Sequence, residues 1–169
     1  MEARKAIDSF TTMNELVLPN DTNTFGDLMG GKLMYWMDIA AYLSAGKHCN
    51  SACMTASVDN LSFKTPIKLG NVICIEAIVT RAFTTSMEIH LKVWNQNMIS
   101  QSKELSNEAF FTFVALDENK KPKAVPAIIA ETAEQIKYYD GALRRRQLRL
   151  VLAGRMKAQD AVELKSIFE

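Results

Sequence analysis

Gly30-Gly-Lys-Leu-Met-Tyr-Trp-Met-Asp38-Ile-Ala-Ala-Tyr-Leu-Ser-Ala-Gly46 is the stretch that decides how this chain folds. Leu33, Met34, Trp36, Met37, Ile39, Ala40, Ala41 and Leu43 fall on nearly every helical phase, and Lys32 and Asp38 are the only charges. The pattern predicts a buried helix over residues 30–46, closed by Gly46, rather than an amphipathic surface helix. It opens on a glycine pair, whose backbone N–H groups have no partner within the helix and lie at its positive end. A lone carboxylate inside such a helix is costly unless it is paired, hydrogen-bonded or functional. Donors for a developing oxyanion and a carboxylate for water together make the parts of a small hydrolytic centre.

Outward from the helix, the pattern changes period. Leu16-Val-Leu18 before Pro19-Asn-Asp21 reads as a short strand entering a turn. Residues 53–63 place Met54, Ala56 and Val58 at alternate positions, followed by Leu61 and Phe63. Residues 72–81 and 86–94 form the clearest strand pair. Met87, Ile89, Leu91 and Val93 alternate there with Glu88, His90 and Lys92, which predicts one face that is solvated or lines an interface. A further strand spans 108–116, Asp117 to Lys123 is a polar turn, and Pro122 and Pro126 lead into a helical tail. One buried helix followed by long antiparallel strands gives an α+β class, in which a twisted sheet wraps the helix.

Composition narrows the function. The chain has 169 residues with 48% hydrophobic and 23% charged, which fits a single globular domain with a core. A net charge of +1 gives no general signal for nucleic acid or membranes, and the stretch Met1 to Phe10 carries no apolar signal region. Cys49, Cys53 and Cys74 lack zinc-like spacing and predict reduced thiols, no metal and a cytoplasmic protein. Arg144, Arg145, Arg146, Arg149, Arg155 and Lys157 form an acid-free run in the tail. Its bland reading is a solvated helix that packs Leu143, Leu148, Val151 and Leu152 against the sheet or a neighbour. Its sharper reading sets Arg144–Arg146 against phosphates.

The ordered set of motifs resembles a known family. Leu18-Pro-Asn-Asp-Thr-Asn-Thr-Phe-Gly-Asp-Leu-Met-Gly-Gly31 with Met37-Asp38, then Ala56-Ser-Val-Asp-Asn-Leu-Ser-Phe63, Pro66-Ile-Lys-Leu-Gly70 and Arg81-Ala-Phe-Thr-Thr-Ser86 before Val93-Trp94, resemble the hotdog acyl-CoA thioesterases of the YciA and brain acyl-CoA hydrolase type. The likeness covers about residues 16–117. It implies a hotdog domain over residues 1–118 and a basic helical extension over 119–169 that packs on the domain or on a neighbouring subunit. It implies hydrolysis of fatty acyl-CoA with Asp38 as general base or as nucleophile, Asn23 in the polar loop, and Gly30 and Gly31 as oxyanion donors. Arg81, Thr84, Thr85 and Ser86 then run beside the CoA arm. Met29, often His or Phe in relatives, and Asn71, usually Asp, are departures from the family pattern. The acyl chain would lie beside the helix near Met34 and Met37. No cofactor, metal, nucleic acid or membrane is implied, and the resemblance implies a homo-oligomer in which dimers assemble as a trimer of dimers, a hexamer.

Helix geometry adds an expectation of its own. Asp38 stands seven residues after Gly31, about 10 Å along a straight helix axis at roughly 1.5 Å per residue. One carbonyl carbon cannot lie near both, so the centre is expected to form in trans across a two-fold dimer. His48, in a polar turn, and His90, on a solvated strand face, read as surface or interface residues. They do not supply the histidine and acid that dehydratases of this fold use. The rival of another class is a non-catalytic acyl-CoA-binding sensor or scaffold, which the retention of Asn23, Gly30, Gly31 and Asp38 argues against.

Overall fold

A computed structural model describes residues 1–59, 61–63 and 65–165. In chain order the elements are β1 (Arg4–Lys5), β2 (Thr11–Leu16), α1 (Gly30–Cys49), β3 (Cys53–Asp59), β4 (Val72–Ala82), β5 (Ser86–Gln96), β6 (Lys103–Ala115), β7 (Ile128–Ile129), α2 (Ala133–Leu152) and α3 (Val162–Lys165). Five strands form one antiparallel sheet in the order β2-β4-β5-β6-β3, and β1 pairs in parallel with β7. The period-2 pattern fixes the register. Ile75 lies opposite Val93 and Ile89 opposite Phe111, so the apolar residues of three strands share one face. That face, with Ile73, Ile75, Met87, Ile89, Phe111 and Phe113 fully buried, closes on Leu33, Trp36, Met37, Ala40 and Ala41 of α1. This is the hotdog arrangement expected from the sequence.

Several boundaries differ from the sequence reading. The helix passes Gly46 and ends at Cys49, where Asn50 takes a left-handed conformation and returns its N–H to the Gly46 carbonyl at 2.8 Å. The extra turn is held from outside, since Arg4 donates to the His48 carbonyl at 2.6 Å and to the Lys47 carbonyl at 3.3 Å. The strand expected at Leu16-Val-Leu18 comes earlier, as β2 at Thr11–Leu16, because Val17 already turns its N–H to the Asn71 carbonyl. β3 carries a bulge between Thr55 and Ser57 and stops at Asp59, so Leu61 and Phe63 are not strand residues. Asn60, within the expected strand and the quoted motif, and residues 166–169 of the extension lie outside the described residues.

The outer face of β5 is not solvated at Glu88 and His90. α2 lies across it and buries Glu88 completely and His90 to 3% exposure. Arg145 makes this possible: its Nε and Nη2 donate to both Glu88 carboxylate oxygens at 3.0 and 2.7 Å, while Thr80 Oγ1 adds a third bond at 2.6 Å. Gly141 leaves the room, since a Cβ there would come within 2.6 Å of Arg145 Nη1. His90 is stacked between Phe110 and Tyr138, with Nε2 3.1 Å from Glu108. His48 also departs from the surface reading: it is 1% exposed in the last turn of α1, and its Nε2–H donates to the Pro126 carbonyl at 2.8 Å. The tail therefore meets the sheet through Arg145 and Ala142, while Leu148 and Leu152 stay exposed.

α1 is not covered all round within one protomer. Met34, Tyr35, Tyr42 and Leu43 are exposed, forming with Asp38 and Ile39 a stripe at helical spacing. β3 is an edge strand beside it and exposes Met54 and Val58. Among the described residues no helix is long and apolar enough to cross a membrane.

Candidate active site

Asp38 occupies the middle of that open stripe, where an unaccompanied carboxylate among exposed tyrosines, methionine and leucine would be out of place as a core residue. Thr55 reaches it from β3, its Oγ1 donating to Asp38 Oδ1 at 2.6 Å. No other hydrogen bond to Asp38 occurs among the described residues, so Oδ2 remains open. Thr55 was not legible as a site residue. It lies 17 residues beyond Asp38 in an exposed, bulged strand, and only the sheet brings the two together.

The N-terminus of α1 is a second piece. Met29 is the cap and offers no side-chain acceptor. The Met29 carbonyl takes the Lys32 and Leu33 N–H groups, and the Gly30 and Gly31 N–H groups have no acceptor among the described residues. They lie at the positive end of a 20-residue helix, where an anionic oxygen is stabilised. A Cβ on Gly30 would meet the Phe63 ring at 3.2 Å, whereas one on Gly31 would meet nothing within 4 Å. Beside them Asn23 organises its own loop: its Oδ1 accepts from the Phe25 and Asp27 N–H groups at 2.9 and 3.2 Å, and Gly26 takes a φ of +76°. With its oxygen engaged, the Asn23 side chain has its amide N–H groups left as donors among the described residues. Asp21, buried just before the loop, accepts from Leu18 N–H and pairs with Lys32 at 3.2 Å, tying the loop to the first turn of α1. Asn23, Gly30, Leu33, Phe63, Pro66 and Ile67 are among the walls of a 390 Å³ cavity, which Asp38 does not line.

The third predicted piece lies on the far side of the sheet's end. Arg81 donates to the Tyr139 carbonyl at 3.0 Å and lies over the Tyr139 ring at 4.1 Å. Thr84 and Thr85 form the β4–β5 turn and Ser86 opens β5, their carbonyls taken by Val125, Ala115 and Phe83 N–H groups. Arg146 of α2 lies over the ring of Phe83 in this same turn at 4.6 Å. Burial, with Arg149 and Arg155 nearby, pushes Arg146 below the usual arginine value. One protomer thus holds Asn23 with Gly30 and Gly31, Asp38 with Thr55, and Arg81 with the turn as three separate places. The expected acyl lining divides as well: Met37 is fully buried in the core and Met34 belongs to the open stripe. No cluster of three or more metal-ligating side chains occurs among the described residues.

A family model for the thioesterase superfamily matches residues 25–100. The acyl-CoA thioester hydrolase YkhA of Bacillus subtilis, itself uncharacterised, is 40% identical over 85% of this chain and 84% of its own. The crystal structure of an apo-hexameric acyl-CoA thioesterase superposes with a TM-score of 0.87 at 38% identity, over 90% of this chain and 98% of that one. An acyl-CoA hydrolase from Staphylococcus aureus, solved with butyryl coenzyme A, coenzyme A and coenzyme A disulfide, superposes with a TM-score of 0.83 at 32% identity, over 97% and 99%. Variants of that enzyme with one asparagine, aspartate or threonine changed to alanine have also been solved. Those three residues follow one another in the same order and at the same spacing as Asn23, Asp38 and Thr55.

Proposed function

This chain belongs to the thioesterase superfamily, and on that premise we propose that it hydrolyses fatty acyl-CoA to a free fatty acid and coenzyme A. The observation that carries the reading is Asp38, a carboxylate in an uncovered apolar stripe, with one oxygen held by Thr55 and the other open. Oδ2 takes a proton from water as the water oxygen bonds to the thioester carbonyl carbon. The carbonyl oxygen gains the negative charge, and the Gly30 and Gly31 N–H groups stabilise it at the helix end, about 3–4 kcal/mol for one well-aimed donor. The C–S bond then breaks, and the proton held by Asp38 goes to the leaving thiolate. Thr55 fixes the carboxylate's rotation, and Asn23 presents its amide to the thioester or the attacking water.

Two copies complete the site. α1 is one uninterrupted helix, so about 10 Å of axis separates Gly31 from Asp38 within a protomer. The exposed stripe of α1 and the free edge of β3 are apolar surfaces that a second copy covers, bringing its Asp38 to this chain's glycine pair. We extend this to a trimer of dimers by analogy with the hexameric neighbour. Of the extension over residues 119–169, helix α2 serves to brace the outer face. Arg81, the Thr84–Ser86 turn and the crowded Arg146 form the surface that takes the phosphate-bearing arm of CoA, arginine suiting phosphate through its forked donors. The cytoplasm, with its reducing poise and CoA pool, is the proposed compartment; Cys49, Cys53 and Cys74 are all free thiols.

The test is loss of thioester absorbance across a panel of short to long acyl-CoAs, with wild type beside Asp38→Asn. Hydrolysis reduced at least about a thousandfold in an intact Asp38→Asn oligomer supports the reading. Acyl-CoA binding without hydrolysis by wild type replaces it with the sensor or scaffold.

A further inference from the structure

Two of the three cysteines face each other where α1 ends and β3 begins. Cys49 is the last residue of the helix and Cys53 the first of the strand, 6% and 9% exposed, with their Sγ atoms 3.1 Å apart. The connection between them is a single tight turn, Asn50-Ser-Ala52, set by the left-handed Asn50. Ser51 serves both sulfurs: its hydroxyl donates to Cys49 Sγ at 3.3 Å, and its carbonyl accepts from either thiol at 3.5 Å. Closing the gap to a disulfide, about 2.05 Å, takes about 1 Å of sulfur movement.

The surroundings of the two sulfurs differ. The hydrogen bond from the Cys53 thiol lowers the Cys49 thiol below the usual cysteine value, with the Ser51 contacts adding to it against burial. That same bond, together with burial, holds the proton on Cys53 and raises it. Cys49, the sulfur that also takes the Ser51 hydroxyl's hydrogen bond, is the nucleophile of the pair and Cys53 the resolving thiol. Cys74, on β4, has no sulfur partner and is raised by burial, which makes it the internal control.

We propose that Cys49 and Cys53 form a reversible dithiol–disulfide site that reacts with small hydroperoxides and ties the end of α1 to the start of β3. In the first step the Cys49 thiolate attacks the O–O bond. An S–O bond forms, the O–O bond breaks, and the leaving oxygen departs as water or an alcohol after taking a proton. In the second step Cys53 sulfur attacks the resulting sulfenic acid; the S–S bond forms, the S–O bond breaks, and the oxygen leaves as water with the Cys53 proton. Two thiols lose two electrons and the hydroperoxide gains them. A thiol reductant reverses the change by exchange.

The site has a path to the chemistry. Cys53 lies two residues before Thr55 on β3, and Thr55 Oγ1 holds Asp38 Oδ1, in the middle of α1, at 2.6 Å. Drawing the first residue of β3 toward α1 shifts Thr55 against Asp38. A misplacement of a catalytic group by about 1 Å can cost on the order of a hundredfold, and the smaller shift passed along β3 to Thr55 is expected to lower the rate about tenfold. This consequence rests on the hydrolase reading above; the disulfide itself does not.

The experiment treats the full-length oligomer with hydrogen peroxide, blocks residual thiols with an alkylating reagent, and reads intact and peptide masses alongside acyl-CoA hydrolysis. The expected result is an intact mass carrying a single alkyl adduct and otherwise about 2 Da lighter than the reduced chain, a peptide pair joined through Cys49 and Cys53, and the adduct on Cys74. The rate drops about tenfold and dithiothreitol restores it. Cys49→Ser and Cys53→Ser each abolish the crosslink and the peroxide sensitivity, and Cys74→Ser behaves as wild type. Three alkylatable thiols after peroxide, or oxidation of Cys74 to the same extent, overturns the site. A disulfide with an unchanged rate overturns its control of the reaction. A disulfide in a chain that hydrolyses no acyl-CoA even when reduced overturns the hydrolase reading instead.

Discussion

Replacing Arg145 with methionine removes the one cation among the described residues that pairs with the Glu88 carboxylate, while keeping most of the side chain's apolar length. Glu88 has no exposed surface, and Arg145 supplies two of its three hydrogen bonds. Arg145 also donates to the Tyr138 carbonyl at 2.6 Å and lies over the Phe110 ring at 3.8 Å, so one side chain fastens α2 to β5 and β6. Breaking a buried pair from one side costs about 3–5 kcal/mol, because the remaining charge has neither partner nor water. Arg145 is a quarter exposed, which lets some water reach the orphaned carboxylate and sets the expectation near the low end, about 3 kcal/mol. For a chain of this size each kcal/mol moves the melting temperature by about 2–4 °C, so Arg145→Met melts roughly 6–12 °C lower. Thermal and urea unfolding are compared at one fixed protein concentration, since assembly contributes to apparent stability. The double variant Glu88→Gln with Arg145→Met removes the charge but keeps an acceptor for Thr80, and is expected to recover more than half of the loss. A loss below about 1 kcal/mol in the single variant, or no recovery in the double, refutes the account of how α2 is held.

Three further expectations follow from the same geometry. Thr55→Val deletes the hydrogen bond to Asp38 and is expected to lower kcat about tenfold, roughly 1.4 kcal/mol, with little change in KM; an unchanged kcat removes Thr55 from the site. Gly31→Ala has room within the protomer and gains up to about 1 kcal/mol of helix propensity, so it folds at least as stably as wild type. Loss of activity in that stable variant marks the approach of substrate or partner to Gly31, and full activity argues that nothing approaches there. Burial holds the His48 imidazole below its usual value, while the unfolded chain takes up that proton near pH 6.5. Its contribution is therefore complete above about pH 6.5 and is lost as pH falls toward the folded value, at up to about 1.4 kcal/mol per pH unit. His48→Gln, which retains a donor for the Pro126 carbonyl, flattens that slope in urea unfolding between pH 7.5 and 5.5; an unaltered slope assigns the dependence elsewhere.

The parts of the molecule that were legible in the sequence are those set by local pattern. The apolar run of α1, the glycine pair at its start and the alternation in β5 each dictate a conformation with a short reach along the chain. The fold class followed from them. What was hidden depends on which distant surface covers which face. Glu88, His90 and Lys92 alternate with apolar residues as a solvated face would, and nothing local reveals that Arg145, fifty-seven residues later, buries the first of them. Leu148 and Leu152 look like the packing side of α2, yet the sheet offers a carboxylate, and the arginine phase of the helix turns inward to meet it. Thr55 gave no signal because its hydroxyl acts only across the α1–β3 junction. Of the site, Asp38 and the glycines stood out as a costly acid and an uncapped helix end. The bare stripe of α1 states the remaining requirement: the sequence demands cover on all sides, and one protomer leaves one side open.

Subunit complementation tests the shared site most directly. Asp38→Asn and Gly31→Val homo-oligomers are prepared separately, shown to be inactive, and mixed under conditions where subunit exchange is proven. With random pairing, half of the dimers are mixed and each carries one intact site, so activity per site returns to about one quarter of wild type. No recovery after proven exchange contradicts the split site and places Asp38 and the glycine pair in the service of one and the same chain.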